Sequence, residues 1–349
     1  MTGAGGDAGL HAARPSIPLL EVRDLRVLIP TEDGVVRAVD GVSFDLMRGE
    51  TMAIVGESGC GKTTLALALI GLLPPGAAVR GEVLFEGVNL LELAPRRLAR
   101  IRGDRISMVF QDPLSGLSPY LRVQAQLGEA LMAHEKLSRS EAARRVLALL
   151  ETVGIPDPRA GARAFAHQLS GGMRQRVMIA MAVSCNPDIL IADEPTSALD
   201  VTTQAEIIDL LKRLQRSSAA ATILVTHDFG IVAGTCDRVH VMYAGRIVEE
   251  GPADRIFGAP QHPYTWGLFG SIARLDEPRR DRLPSIPGQP PSLINPPPGC
   301  RFHPRCAHRF EPCMLETPQP DANEGHHRVW CHLPATKRRI VWREERERP

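Results

Sequence analysis

A glycine-rich segment early in the chain has the residue types and spacing of a phosphate-binding loop. GESGCGKTT, residues 56–64, fits the pattern G-x-x-x-x-G-K-[ST]. It follows the apolar run Met52–Val55 and opens the helical run LALALIGLL, so the sequence predicts a strand, a loop and a helix. Loop N–H groups and the start of such a helix together bind phosphate oxygens. An incidental lysine in a glycine-rich turn is the alternative, which this strand and helix context disfavours.

Individual positions of the loop have predicted roles. Its glycines permit a tight backbone path, Lys62 is expected to reach the β- and γ-phosphates, and Thr63 is expected to place its hydroxyl on Mg²⁺. The nucleotide-binding residues predicted here are Gly56, Ser58, Gly59, Cys60, Gly61, Lys62, Thr63 and Thr64.

Two adjacent acids close a second apolar run, PDILIADEP. Asp193 fits a carboxylate that holds Mg²⁺ directly or through water, and Glu194 follows where it could polarise an attacking water. A surface acid pair at the end of a strand is the alternative. The phosphate loop earlier in the same chain favours the magnesium site.

Alternating strands and helices would position these residues. Short β-like runs near LLEVRDLRVL and VSFDLMRGETMAIVG predict a small antiparallel portion. The later pattern predicts an α/β fold with a parallel sheet, and the leader 1–16 is expected to be disordered. Helical periodicity lies around 62–72, 123–136, 139–153, 172–184 and 202–216, with strand-like DILIA and ATILVTH between.

Composition excludes several classes of protein. The chain has 349 residues, a net charge of +1 and 4% aromatic residues, which gives no footprint for bulk nucleic-acid binding. No apolar stretch approaches the ~18–20 residues that span a bilayer, and the first residues do not resemble a secretory signal. We therefore expect a soluble intracellular chain with no nucleic-acid partner.

The segment LSGGMRQR, residues 169–176, lies between the two sites and resembles the signature loop of ABC-type ATPases. On its own, LSGG would indicate only a helix N-cap. The resemblance implies that Ser170, Gly171 and Gly172 contact the γ-phosphate of an ATP that is held by the phosphate loop of another subunit.

Further motifs appear in the order of that family. Gln111 in VFQDPLSGLSP matches the Q-loop, SALD with Asp200 matches the D-loop, and His227 in LVTHD matches the switch histidine. The resemblance spans about residues 19–265. It implies two ATP half-sites between paired ATPases, with Glu194 as the catalytic base.

Other site roles follow from the same resemblance. Gln111 and His227 would assist catalysis, and Thr63, Gln111 and Asp193 would surround Mg²⁺. The implied fold is a P-loop ABC-type ATPase with an antiparallel β subdomain and a helical subdomain at about 112–180. The sequence departs from the family near Ile29. The family usually has an aromatic residue there that stacks on adenine, whereas this chain has none, which would cost adenine a stacking interaction of ~1 kcal/mol.

The C-terminal part resembles the extension of dipeptide and oligopeptide importer ATPases. The segments HPYTWGLFGSIA, IPGQPPSL and GCRFHPRC…CHLP carry that resemblance. Met173 stands where most ABC proteins have glutamine, and in this the chain resembles the first of the two paired ATPases of such importers. The resemblance implies a domain at 17–265, an extension at 266–349 and a peripheral position on the cytoplasmic face of the cell membrane. Implied partners are two transmembrane permease subunits, a second related ATPase (or a second copy) and, indirectly, an extracytoplasmic solute-binding protein.

Four cysteines in this extension follow the spacing C-x5-C-x6-C-x17-C. Disulfides are disfavoured in a reducing cytosol, and structural zinc sites typically contain C-x2-4-C pairs. The resemblance implies a [4Fe–4S] cluster, while zinc and unmetallated thiols remain alternatives. The four residues are Cys300, Cys306, Cys313 and Cys331.

Two other functions are alternatives to that of an importer ATPase. A soluble ABC ATPase that acts on nucleic acid or ribosomes usually carries two cassettes, a coiled-coil insertion or a basic surface, and this sequence has none of these. An inert half of an asymmetric pair is disfavoured because the residues with predicted roles in ATP hydrolysis are all present. The solute stays open among dipeptides, longer peptides, nickel chelates, glutathione and sugars.

Overall fold

A computed structural model describes residues 17–197, 199–271, 285–323 and 327–346. The predicted leader, residues 1–16, lies outside this range. The described strands are β1 (Leu20–Thr31), β2 (Gly34–Leu46), β3 (Thr51–Val55), β4 (Ala78–Phe85), β5 (Val88–Asn89), β6 (Ile106–Val109), β7 (Ile189–Asp193), β8 (Ala221–Thr226), β9 (Arg238–Tyr243), β10 (Arg246–Pro252), β11 (Asp321–Asn323) and β12 (His327–Val329). The described helices are α1 (Lys62–Leu69), α2 (Pro95–Ile101), α3 (Pro113–Gly116), α4 (Val123–His134), α5 (Arg139–Thr152), α6 (Pro158–Arg163), α7 (Gly171–Val183), α8 (Val201–Ser218), α9 (Phe229–Val232), α10 (Ala253–Gly258), α11 (Pro263–Gly270), α12 (Glu311–Leu315) and α13 (Ala335–Arg346).

The central sheet has the strand order β11-β12-β10-β9-β3-β8-β7-β6. Strands β6, β7, β8, β3 and β9 pair in parallel, whereas β10, β12 and β11 continue the sheet antiparallel. Every residue of β3, β7 and β8 is buried, because helices and other elements cover both faces of a parallel sheet. The prediction of an α/β fold with a parallel sheet is confirmed.

A second, antiparallel sheet has the order β2-β1-β4-β5. Strand β1 pairs with β2 from Leu20 opposite Leu46 to Thr31 opposite Gly34, which closes the hairpin. Its inward side chains pack into the same apolar core as β3 and α1. This sheet is the antiparallel subdomain that the early β-like runs predicted, and Ile29 lies within β1 opposite Val36.

Helices α4 to α7 build a second apolar core beside the parallel sheet. Their starts follow local sequence chemistry. The hydroxyl of Ser138 accepts a hydrogen bond from the Glu141 N–H at the start of α5, and the Glu141 carboxylate accepts one from the Ser138 N–H. Asp157 caps α6 in a related way through the N–H groups of Arg159 and Ala160.

The C-terminal residues join the ATPase fold through both sheets. Strand β12 extends the central sheet, where Glu249 and Glu250 of β10 pair with Val329 and Arg328. Residues 285–299 form neither helix nor strand, as their proline content predicts, and Leu293 C=O accepts a hydrogen bond from the Arg37 N–H of β2.

The charged tail KRRIVWREERER contributes most of a helix that the sequence did not predict. In α13, the indole ring of Trp342 lies 6.4 Å from that of Trp266. No helix among the described residues is long and apolar enough to cross a membrane.

Candidate active site

The phosphate loop occupies the carboxyl end of β3, between β8 and β9 in the middle of the sheet. Its backbone path excludes side chains at two glycines. A Cβ atom at Gly56 would lie 2.2 Å from the Met242 carbonyl oxygen, and one at Gly61 would lie 2.1 Å from that of Ala38. Gly59 has a φ of +75° with open space around it. The loop therefore needs glycine for close backbone approach at two positions and for conformation at the third.

Lys62 begins α1 and folds back over the loop. Its Nζ atom donates hydrogen bonds to the carbonyl oxygens of Gly56 at 2.9 Å and Glu57 at 3.1 Å. The ammonium group is buried. A buried cation whose hydrogen bonds go to loop carbonyls is well placed to bind anionic oxygens at the centre of the loop.

Thr63 and Asp193 bring two oxygen ligands together across the sheet. The Thr63 hydroxyl donates to the Asp193 Oδ1 atom at 3.2 Å. Asp193 is 1% exposed, and burial raises its pKa from 3.8 to about 6. Hydroxyl and carboxylate oxygens are the ligands that Mg²⁺ prefers, so these residues fit the predicted magnesium site.

Glu194 is the centre of the polar cluster. Gln111 Nε2 donates to its Oε2 atom at 2.9 Å, and His227 Nδ1 lies 3.2 Å from its Oε1 atom. Lys62 Nζ lies 3.8 Å from the same oxygen. The Glu194 side chain is 12% exposed and that of His227 is 60% exposed, so the carboxylate faces a surface that a ligand can reach. The structure thus brings together side chains from four separate motifs.

These motifs meet because each follows a parallel strand at its carboxyl end. Gln111 follows β6, Glu194 follows β7 and His227 follows β8, beside the loop after β3. Ligands bind open α/β sheets at this edge.

The signature residues lie apart from this cluster. Ser170 caps α7, where its hydroxyl accepts a hydrogen bond from the Met173 N–H at 3.3 Å. A Cβ at Gly172 would lie 2.7 Å from the Thr203 methyl group, while Gly171 lies beside Leu199. Within the described chain, no hydrogen bond or ion pair joins Ser170, Gly171 or Gly172 to the phosphate loop.

Asp200 of the D-loop segment caps α8. Its carboxylate accepts hydrogen bonds from the Thr203 N–H at 3.0 Å and from the Thr203 hydroxyl at 2.8 Å. These bonds, led by the one from the N–H, lower the pKa of Asp200. Since Thr203 also contacts Gly172, the signature and D-loop segments form one surface of the chain.

The remaining predicted loop residues differ in exposure. Ser58 is exposed, Thr64 is half-buried and Cys60 is buried. Burial raises the pKa of the Cys60 thiol to about 11, so it stays protonated near neutral pH. Cys60 therefore packs the underside of the loop, and its backbone carbonyl accepts a hydrogen bond from the Gly245 N–H.

Two residues that bind the phosphate loop from outside were not predicted. The Tyr264 hydroxyl accepts a hydrogen bond from the Glu57 N–H at 2.8 Å. Arg305 donates to both carboxylate oxygens of Glu57, at 2.6 and 3.0 Å. Both residues belong to C-terminal motifs that carried only a family resemblance in the sequence.

A second unpredicted cluster surrounds Asp40 of β2. Arg26 of β1 and Arg246 of β10 each donate to this carboxylate at 2.8 Å, and Arg301 from the extension also donates to it. Burial raises the pKa of Asp40, but the arginines outweigh this effect and lower it overall. The cluster ties both sheets to the extension.

The four extension cysteines line one small cavity together with His262 and Phe302. Burial raises the pKa of the Cys300 thiol to about 12 and also raises that of Cys331. Among the described residues, no three His, Cys, Asp or Glu groups are arranged so that they could hold a metal ion. The four cysteines therefore share one cavity, but as the structure arranges them they do not form a metal site.

Comparisons with known proteins agree with this geometry. Residues 39–197 match the ABC transporter family, and residues 248–313 match the family described as the oligopeptide/dipeptide transporter C-terminal region. The dipeptide transport ATP-binding protein DppD of Bacillus subtilis is 51% identical over 90% of this chain and 94% of its own length. The oligopeptide transport ATP-binding protein OppD of Salmonella typhimurium is 48% identical over 94% of this chain and 97% of its own.

Solved structures give the same result at the level of the fold. The dimeric ATP-binding cassette MJ0796, bound to ADP and Pi after hydrolysis, is 29% identical, with a TM-score of 0.61, over 67% of this chain and 98% of its own. The cbiO1 subunit of Clostridium perfringens, part of the ABC transporter complex cbiONQ, is 32% identical, with a TM-score of 0.58, over 69% of this chain and 91% of its own.

Proposed function

Because the chain belongs to the family of ATP-binding proteins of dipeptide and oligopeptide ABC transporters, we propose that it hydrolyses ATP to drive the import of dipeptides, oligopeptides or related solutes. The observation that carries the proposal is the cluster around Glu194, in which a carboxylate, an amide, an imidazole and the loop lysine converge. This is the composition required for phosphoryl transfer to water.

The phosphate loop and its neighbours hold the triphosphate. From its place beside the loop carbonyls, Lys62 neutralises the β- and γ-phosphate oxygens, and the loop N–H groups bind the others. Thr63, Gln111 and Asp193 would hold Mg²⁺. Bound Mg²⁺ would neutralise charge that develops on the phosphate oxygens. Because no aromatic residue stands near Ile29, adenine would find only apolar contact there.

Glu194 is the proposed catalytic base. It accepts a proton from the attacking water while Gln111 holds its Oε2 atom and His227 faces its Oε1 atom. His227, being mostly exposed, is free to turn toward the γ-phosphate. The hydrogen bond from Gln111 limits rotation of the carboxylate, which helps to orient the water.

The second half of each site comes from another ATPase subunit. Ser170, Gly171, Gly172 and Asp200 form a surface away from the Glu194 cluster, which suits contact with the γ-phosphate held by a partner. The relative MJ0796 is dimeric, which supports this arrangement. We propose a related ATPase as the partner, with a second copy of this chain as the alternative.

The same family membership supports the other partners. Two transmembrane permease subunits would bind the exposed segment after Gln111, which places the chain on the cytoplasmic face of the cell membrane. An extracytoplasmic solute-binding protein would deliver the solute to them. We assign residues 17–265 to the ATPase domain, with its helical subdomain at about 112–180, and residues 266–349 to the extension.

We further propose that the four extension cysteines, which do not form a metal site as the structure arranges them, move together to hold a [4Fe–4S] cluster. Their convergence on one cavity and their ligand type support it, because thiolates ligate such clusters. The test is an optical and EPR spectrum of anaerobically purified protein with iron, sulfide and zinc quantified. About four irons per chain with absorbance near 400 nm support the cluster, while stoichiometric zinc or no metal contradicts it.

The ATPase assignment is tested with Glu194→Gln. The variant is expected to bind ATP with affinity close to that of the wild type and to lose at least about a hundredfold in hydrolysis rate, because the amide cannot accept the proton. Phosphate release by the assembled transporter in liposomes measures the rate. Glu129→Gln, on the exposed face of α4, is the matched control and should hydrolyse ATP normally. Normal hydrolysis by Glu194→Gln would overturn the assigned role.

Import is tested in the same liposomes. We expect uptake of a labelled dipeptide or oligopeptide to require ATP on the side where this subunit binds. Hydrolysis without peptide uptake, when the permease and binding protein are present, would contradict the proposed solute class.

A further inference from the structure

Glu57 is the second residue of the phosphate loop, and residues from the C-terminal region hold it from outside. Its N–H donates to the Tyr264 hydroxyl, and its carboxylate accepts two hydrogen bonds from Arg305. On the inner side, its carbonyl oxygen accepts a hydrogen bond from Lys62 Nζ at 3.1 Å. One residue thus joins the extension to the lysine of the nucleotide site.

Arg305 is itself held firmly. Nε donates to the Pro287 carbonyl at 3.0 Å, and Nη2 donates to that of Ile286 at 3.2 Å. Its side chain is 5% exposed, and the guanidinium lies 5.9 Å from the centre of the Tyr243 ring. A two-pronged, buried contact of this kind fixes geometry in a way that exposed ion pairs do not.

The pair also matters for charge. An acidic side chain within a loop that binds a triphosphate would repel its ligand unless a cation neutralised it. The Arg305 guanidinium supplies that neutralisation at 2.6 Å. If Arg305 were absent, the phosphate loop would carry the unpaired negative charge of the Glu57 carboxylate.

We propose that Arg305 is a positioning residue for ATP: it neutralises Glu57 and, through it, sets the path of the phosphate loop and the position of Lys62. The C-terminal extension then supports the phosphate loop of the nucleotide site. This inference rests on the proposed ATPase function.

The pair Arg328–Glu250 provides an internal comparison. Arg328 lies in β12 of the extension and donates from Nε to the Glu250 carboxylate in β10 at 2.6 Å. It joins the same two parts of the chain through the same chemistry, but Glu250 is not in the phosphate loop. Loss of this pair should weaken the fold and leave ATP binding unchanged.

The experiment measures the dissociation constant of the full-length chain for the fluorescent analogue mant-ATP with Mg²⁺. Arg305→Gln is expected to weaken binding about tenfold, and Arg328→Gln to leave it unchanged. The double variant Glu57→Gln, Arg305→Gln should regain most of the lost affinity, because the loop then carries no unpaired carboxylate. A merely structural role would instead make the double variant bind no better than Arg305→Gln.

Thermal unfolding of each variant verifies that it folds. If Arg305→Gln does not fold, Arg305→Lys replaces it, since lysine keeps the charge and loses the two-pronged contact. We expect it to bind mant-ATP about threefold more weakly than the wild type. Wild-type affinity in the folded Arg305 variant, or no recovery in the double variant, would overturn the inference alone. Failure of the wild type to bind mant-ATP would overturn the proposed function and this inference with it.

Discussion

Glu194 occupies a backbone conformation that non-glycine residues rarely adopt. Its φ is +43°, and its N–H donates to the Val225 carbonyl at 2.8 Å at the end of the neighbouring strand. Such strain persists only where surrounding contacts fix it, and it is concentrated at functional sites. Here the turn directs the carboxylate back over the phosphate loop, toward Lys62.

Asp193 gives a pH-dependent prediction. Burial raises the pKa of Asp193 to about 6 in the folded chain, against an ordinary value of 3.8. Folding therefore favours the protonated form, and this contribution to stability is complete when the pH is below 3.8. This contribution is lost as the pH rises through 6, above which the buried anion costs on the order of 3 kcal/mol. In EDTA, Asp193→Asn should therefore unfold at a higher temperature than the wild type at pH 8 and without that advantage at pH 4.

Thermal unfolding across this pH range measures the effect. The same variant should lose Mg²⁺-dependent hydrolysis, since a carboxylate ligand is missing. Equal unfolding temperatures for the two proteins at pH 8 would show that Asp193 does not carry a buried charge in the empty site.

Much of the site was predictable at the scale of residues. Lys62, Asp193 and His227 stand in motifs whose spacing places them at strand ends, and strand ends of a parallel sheet meet at one edge. Glu57 and Arg305 were not predictable, because the two residues are far apart in sequence and neither has a local pattern that specifies the other.

At the scale of elements, Asp40 connects three parts of the chain. Arginines from β1, β10 and the extension all donate to its carboxylate. Removal of that charge leaves buried Arg301 without its anion, and removal of one partner from such a cluster costs about 3 kcal/mol. We therefore expect Asp40→Asn to lower the free energy of unfolding by this amount.

Urea denaturation of Asp40→Asn is compared with that of Asp33→Asn. Asp33 lies in the exposed turn between β1 and β2, so its variant should unfold like the wild type. Identical midpoints for the two variants would refute the structural role given to Asp40.

Long helices were predicted well and short terminal elements were not. The apolar periodicity around 123–136 and 139–153 matches α4 and α5. Each of these helices is about three to four turns long, buries one face and exposes a mostly polar one, which is the pattern that such periodicity predicts. Helix α13 was hidden because charged residues surround its few apolar ones, such as Trp342. Strand β12 has three residues, too few for a periodic signal, and it depends on β10 for pairing.

At the scale of the whole molecule, the position of Ser170 leads to a prediction about assembly. Ser170→Arg should leave mant-ATP binding by a single chain intact, because the phosphate loop is unchanged. It should prevent ATP-driven dimer formation in the Glu194→Gln background, since a large cation would occupy the surface that meets the partner.

Light scattering with and without ATP measures the molar mass, in the presence of the second ATPase where the chain alone stays monomeric. Thr152→Arg, on the exposed face of α5, is the control and should dimerise normally. Dimerisation of Ser170→Arg at the same ATP concentration would contradict the shared site.

The pairing of β10 with β12 also bears on synthesis of the chain. Residue 249 leaves the ribosome about 80 residues before its partner at 329. At about 5–20 residues per second, the edge of β10 waits several seconds with its N–H and C=O groups unpaired. A nascent chain that stalls in this interval exposes an unpaired sheet edge that can pair with other chains. Premature termination near the 3′ end of the message should therefore yield aggregates rather than a shortened, soluble ATPase.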